Sequence, residues 1–467
     1  MSVSAPTVPY TRTLAEFAQG LQAHEVPEPI KHETKRIVLD VLGCAVAGRV
    51  TPAGQLAVEQ AEGEHGLLEA TVFGAKPASL MPAAYANTML SNALDYDVWG
   101  PEGHMAPAVV PVALGVAEAL DASGSELMAG LVAALEVGGR IGAALRRFKM
   151  EGAPQSQTGI VRGQGHVVFA AVAAAGRVLG LTDDQMHHAF GIAGYGATPP
   201  TMRKFTSSAR PAMTKYDHLG VMAQNGVQAA LLARRGFTGD LEILEGEGGF
   251  WALTGAAGCD WDRLTTGLGD TWMIPEVSYK WFPTNHSVNN PTITLLHRMM
   301  REHSLKPEEI ESIEVRRGRA PETRPRPIRN QMDAWMVPAY GIAAGVHDIY
   351  PRRSWQEPAT YRRQDLLDFM QRIRLIPLRE GEVTTRGNYW EHFSPIRVTV
   401  TARGTAFEGA QDHLPLMDDE LLVAKFRDNV QGFLSDGAAQ RVEQACWKLD
   451  ALPTVRPLAA DLTGPDD

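Results

Sequence analysis

Apolar residues recur at helical spacing through the first half of the chain. Between His32 and Gly48, residues Ile37, Val41, Cys44 and Gly48 fall at i, i+4, i+7 and i+11, one stripe of a helix with a glycine at its end. Pro107–Leu120 and Leu127–Leu145 are apolar on nearly every side, as helices buried in a bundle are. Val167–Leu179 is similar, with Gly180 as its stop, and Leu219–Arg235 runs out at Gly236. Near residue 275 the period changes. The stretches 311–317 and 395–401 alternate apolar and polar residues, the mark of half-buried strands, and Arg403-Gly404 supplies a turn. The Pro/Arg-rich stretch 320–330 reads as loop. From Asp418 the helical period returns through Leu421, Leu422, Phe426, Val442, Cys446 and Leu449.

This pattern predicts a mainly α protein. A large helical domain is built from both chain ends, 1–277 and 408–467, with a smaller α+β lid domain at 278–407. A chain of 467 residues exceeds what one compact core holds, which fits two domains. The longest apolar tract, 167–181, is too short and too polar to span a bilayer, and no basic-then-apolar leader is seen, so a cytoplasmic protein without membrane contact is expected. Three widely spaced cysteines imply neither a disulfide framework nor a Cys-x-x-Cys metal site. The formal charge of −10 disfavours nucleic acid, yet a local basic cluster can still hold a carboxylate.

No P-loop and no His-Glu-x-x-His pattern occurs. The pair Gly139 and Gly142 lies inside a helical pattern and reads as packing. Gly246–Phe250 reads as a turn. What stands out is polar residues at the edges of apolar helices. Asp95, Tyr96 and Asp97 precede His104. Lys215 and His218 precede another apolar run. Lys280 is flanked by Tyr279, Trp281, Phe282 and Pro283. His166 follows Arg162-Gly163-Gln164-Gly165 and opens a helix. Together these side chains could form one pocket.

In these segments the chain resembles the MmgE/PrpD family. The segment Ser91–Asp97 with His104 and Ala106–Ala113 is similar to the family's Leu-Asp-Phe-Asp stretch and following histidine. Thr214–Trp251 gives the longest match, Tyr279–Pro283 matches a Lys-x-aromatic-Pro segment, and Asp40–Gly48 and Asp419–Phe426 match an early and a late family helix. The resemblance implies a homodimer of a helical domain plus lid, acting on a small di- or tricarboxylate without metal or organic cofactor. It implies Asp95, His104, Lys215 and Lys280 as catalytic residues. Lys215 and Lys280 would clamp carboxylates, with proton transfer by one of them as a further option; His104 would be the general acid or base; Asp95 would orient His104 or serve as a base itself. His166, Arg203 and His286 would contact substrate. The family's further histidine falls at Asn285 or Asn289, not cleanly at His286, and the lid tyrosine of some relatives falls at Tyr340 or at Ala339. The reaction expected first is dehydration of a 2-methylcitrate-like acid. Decarboxylation of a cis-aconitate-like acid follows, then epimerisation of an iminodisuccinate-like acid, with a non-catalytic carboxylate binder as the alternative.

Overall fold

The computed structural model describes residues 8–66, 69–146, 164–199, 204–205, 212–246, 248–284, 286–318, 325–379, 395–413 and 416–463. The chain forms two compact units. The larger comprises 1–93, 97–278 and 422–467; the smaller comprises 94–96 and 279–421.

Among the described residues the larger unit has nine long helices before residue 279: α1 (Tyr10–Gly20), α2 (Glu28–Gly48), α3 (Pro52–Ala61), α4 (Leu80–Asn92), α5 (Ala106–Leu120), α6 (Gly124–Arg146), α7 (Val167–Leu179), α8 (Asp183–Tyr195) and α9 (Thr214–Arg234). Helix α7 lies at the centre, packed against α5, α6, α8 and α9. Its Ala/Val/Phe composition suits that position, because every side of it except Arg177 is buried. It ends as the sequence indicates: Gly180 adopts φ +66°, and the Leu181 amide returns to the Gly176 carbonyl at 3.1 Å. A capping box starts α8, where Thr182 and Gln185 exchange hydrogen bonds of 3.2 and 3.0 Å. Small residues set the close approaches. A Cβ on Gly226 of α9 would meet the Ala171 Cβ at 2.4 Å. Within α6, the stretch Gly124–Leu145 is long and apolar enough to cross a bilayer, but its most apolar 18-residue window is buried throughout.

The smaller unit is built on a four-stranded sheet of order β4-β3-β5-β6, with β3 (Ile310–Arg316), β4 (Ile373–Ile376), β5 (Ile396–Ala402) and β6 (Thr405–Gln411) following a short β1–β2 pair (Glu69–Ala70, Ala78–Ser79) in the larger one. β3 pairs parallel with β4 and antiparallel with β5, Val315 facing Val398. β5 turns into β6 through Arg403 and Gly404, both at positive φ, as a two-residue hairpin requires. Ile396, Val398, Val400 and Ala402 all face the core. Helices α10 (His286–Glu302), α11 (Gln331–Met336), α12 (Pro338–Val346) and α13 (Gln364–Met370) belong to this unit. Ile293 and Leu296 of α10, Phe282, Tyr340 and Trp355 share the sheet's core.

The chain then returns through α14 (Asp419–Val430) and α15 (Asp436–Trp447), rejoining the larger unit from Leu422. The boundary expected at 407 therefore cuts a strand. β6 is exposed at most positions, so its sequence carries little of the apolar alternation that marks β3 and β5. The segment 94–96, which belongs with the smaller unit, gave no sign of that in its sequence.

Candidate functional site

Two buried clusters carry the polar chemistry, one in each unit. The first is assembled on the loop between α4 and α5. Asp97 is wholly buried, and its Oδ2 lies 2.7 Å from His104 Nδ1. Asn92, the last residue of α4, donates to Asp97 Oδ1 at 2.8 Å and lies 2.9 Å from the same Nδ1. The carboxylate at Nδ1 assigns the proton there and leaves Nε2 as the nitrogen that exchanges protons. Trp99 packs edge-on to the imidazole at 4.7 Å.

The loop is held from behind. Asp40 of α2 accepts the Val98 amide at 2.7 Å and pairs with Lys425 of α14 at 2.6 Å. The Trp99 and Ser278 backbones exchange hydrogen bonds of 2.8 and 2.7 Å. Gly100 (φ +112°) has no room for a Cβ, which would lie 2.3 Å from the Glu276 carbonyl.

Lys215 joins this cluster through Asn92, its Nζ 3.5 Å from Oδ1 and 4.6 Å from the centre of the Tyr216 ring. Lys215 is in the first turn of α9, not ahead of the helix as the sequence suggested. The run Lys215–His218 hides the start because its buried Lys215 and His218 are polar and break the apolar pattern. His218, one turn further on, is 7% exposed, and burial pushes its pKa down to about 4, with Lys215 and His104 adding to the effect. His166 stands directly before α7 and donates Nε2–H to the Glu102 carbonyl at 3.0 Å. Gly142 of α6 makes room for this contact, since a Cβ there would lie 2.7 Å from the Glu102 Cβ and 2.9 Å from His166 Nε2, and Gly139 makes room for Pro101, 2.9 Å from its would-be Cβ. That glycine pair is packing, as expected.

The second cluster belongs to the smaller unit. Lys280 is fully buried, and its ammonium pairs with the Asp95 carboxylate and donates to the Asp95 carbonyl at 2.8 Å. Asp95 sits at φ +49°, a left-handed conformation that Asp tolerates better than most residues. Tyr96 donates to the Trp281 carbonyl at 3.0 Å, and Gln356 donates to the Leu94 carbonyl at 2.6 Å. Asn290 accepts the Trp281 and Phe282 amides at 2.6 and 2.9 Å, fixing the turn that carries Lys280. Arg352 lies over the Phe282 ring at 4.7 Å and donates to the Trp281 carbonyl at 3.2 Å.

Set against the expected residues, the structure joins His104 and Lys215 in one network and pairs Lys280 with Asp95. The carboxylate that orients His104 is Asp97; Asp95 instead balances Lys280. His166 lies in the larger unit beside the His104 loop, and His286 opens α10, buried, in the smaller unit. Tyr340 is 1% exposed within the sheet's core, and its hydroxyl donates to the Trp355 carbonyl, so it is a core residue here and not an exposed donor. Arg203 and Asn285 lie outside the described residues. Asp97 and Asn92, which the structure joins to His104, and buried His218 had no role assigned from the sequence, although all three sit inside or beside the motifs picked out there.

Burial raises the thiols of Cys259, to about 12, and of Cys446, which works against thiolate ligation at either. A separate cleft of about 410 Å3 beside the end of α8 is lined by Asp240, Glu242 and Glu245 among others. Three carboxyl groups there make it a poor seat for a polyanion.

The relatives of this chain bear on the chemistry. It is 28% identical to the cis-aconitate decarboxylase of Homo sapiens over 312 residues, 64% of this chain and 62% of that protein. It is 27% identical to the Mus musculus enzyme of the same name over 314 residues (64% and 60%) and 26% identical to that of Aspergillus terreus over 327 residues (67% and 61%). The match thus spans about three fifths of these relatives' length. Residues 12–258 match the MmgE/PrpD N-terminal domain and residues 285–449 the MmgE/PrpD C-terminal domain, and the chain belongs to the MmgE/PrpD family.

Proposed function

We propose that this protein is a lyase for a small polycarboxylate and that its reaction is decarboxylation of a cis-aconitate-like acid. The observation that carries the reading is the buried Asp97–His104 pair linked through Asn92 to Lys215. The names of the relatives move decarboxylation ahead of the dehydration expected first.

The chemistry follows from charge. When a carbon–carboxylate bond breaks, CO2 leaves and its bonding electron pair stays on carbon, delocalising toward a neighbouring carboxylate. Lys215 stabilises that charge in surroundings largely closed to water, where an ammonium acts more strongly than in solution. The carbanion must then gain a proton. His104 delivers it from Nε2, and Asp97 balances the imidazolium while the proton is held there. The sum is one carboxylate and one proton in, CO2 and a C–H bond out.

The test is turnover of cis-aconitate, citrate and 2-methylcitrate by purified protein, with CO2 release and water loss followed separately. CO2 release from cis-aconitate that disappears in His104→Ala supports the proposal. Loss of water from 2-methylcitrate without CO2 release would replace it with dehydration.

A further inference from the structure

His218 holds a position that folding alone does not explain. Its side chain is more than nine-tenths buried, and neither ring nitrogen has a hydrogen-bond partner of acceptable geometry. A buried polar atom left unsatisfied is destabilising, so such groups are uncommon and call for a reason. Its neighbours along α9 are provided for: Asp217 accepts from the Tyr85 hydroxyl at 2.7 Å, and Asn225 donates to the Gly196 carbonyl at 2.7 Å. His218 is three residues from Lys215, so the two side chains share a helix face. Both are buried, and Lys215 is tied to the His104 network through Asn92.

We infer that His218 is a substrate-contacting residue, forming with Lys215 the seat of one substrate carboxylate: Lys215 supplies the charge and His218 a directed N–H. This rests on the polycarboxylate reading above. The surroundings suit a neutral donor. Desolvation is the largest influence against a positive charge on the ring, Lys215 and to a smaller extent His104 add to it, and the Thr214 carbonyl and Asp217 act the other way. An uncharged imidazole adds no repulsion to the ammonium beside it, and it has a donor to offer across the ordinary pH range. A carboxylate oxygen supplies an acceptor of better geometry than the Thr214 carbonyl.

A residue that serves the ligand at the fold's expense has a distinctive signature when it is replaced. In His218→Leu an apolar side chain of similar size removes the unsatisfied nitrogens, so the melting temperature is expected to hold or rise. Affinity for cis-aconitate and citrate, read by calorimetry, is expected to fall at least tenfold, with KM rising more than kcat falls. His218→Asn, which keeps a short donor, is expected to recover part of the affinity. If the leucine variant binds both acids within twofold of wild type, the inference is overturned while the polycarboxylate reading stands. A melting temperature lowered by several degrees, or failure of that variant to fold, also overturns it, because the ring would then be structural. If wild-type protein binds neither acid, the polycarboxylate reading and this inference fall together.

Discussion

Asp95 and Asp97 flank one tyrosine, and their roles are opposite. Asp97 orients a histidine; Asp95 neutralises a lysine. The residue types and the motif made both visible in the sequence, along with His104, Lys215 and Lys280. Which aspartate served which partner was not legible, because nothing in the sequence marks Asp95 as part of the smaller unit and Asp97 as part of the larger. Asp97→Asn keeps the shape but removes the charge that fixes the Nδ1 proton. Turnover is expected to fall by about 100-fold or more, with KM little changed, in steady-state kinetics. Lys215→Ala is expected to lower kcat and raise KM together, since it removes charge from ground state and transition state alike.

At the scale of elements, helices α2, α5, α6 and α7 were readable because long apolar stretches leave few alternatives, and Gly180 marks its stop through a conformation that only glycine adopts readily. β3 and β5 were readable from alternation. β4 has four residues and β6 is an exposed edge, so neither carries enough periodicity to be seen. One cap is open to a direct test. Ser123 precedes α6 and exchanges hydrogen bonds with Glu126, at 2.8 Å from its amide and hydroxyl and 3.2 Å in return. The Ser123 amide and hydroxyl hold the Glu126 carboxyl below its ordinary value. A lowered folded pKa means stability present above the unfolded pKa and lost as pH falls through the folded one. Glu126→Gln is therefore expected to lower the melting temperature slightly at pH 7. That difference should vanish as the pH is taken below the ordinary glutamate range, in a thermal-unfolding series. Ser123→Ala should cost about 1 kcal/mol at neutral pH.

At the scale of the molecule, the larger unit needs both ends of the chain. Lys425 and Asp40 lie 385 residues apart in sequence, and the pair is buried, with Asp40 also holding the loop that carries Asp97. The matching early and late helices made a two-ended domain readable; the ion pair that joins them was not, since neither residue stands out in its own helix. Lys425→Met leaves Asp40 buried without its cation and is expected to destabilise the larger unit by about 3–5 kcal/mol in denaturant unfolding. The double change with Asp40→Leu should recover much of that loss, because two apolar side chains need no partner. Activity should not return with stability, since Asp40→Leu also takes away the acceptor of the Val98 amide.

The most direct test of the account is proton NMR of the purified protein with cis-aconitate in deuterium oxide and no added cofactor. The prediction is a new decarboxylated product that carries deuterium at the protonated carbon, formed together with bicarbonate, and lost in both His104→Ala and Asp97→Asn. Unchanged cis-aconitate with the wild-type protein, or equal product from wild type and the two variants, would contradict it.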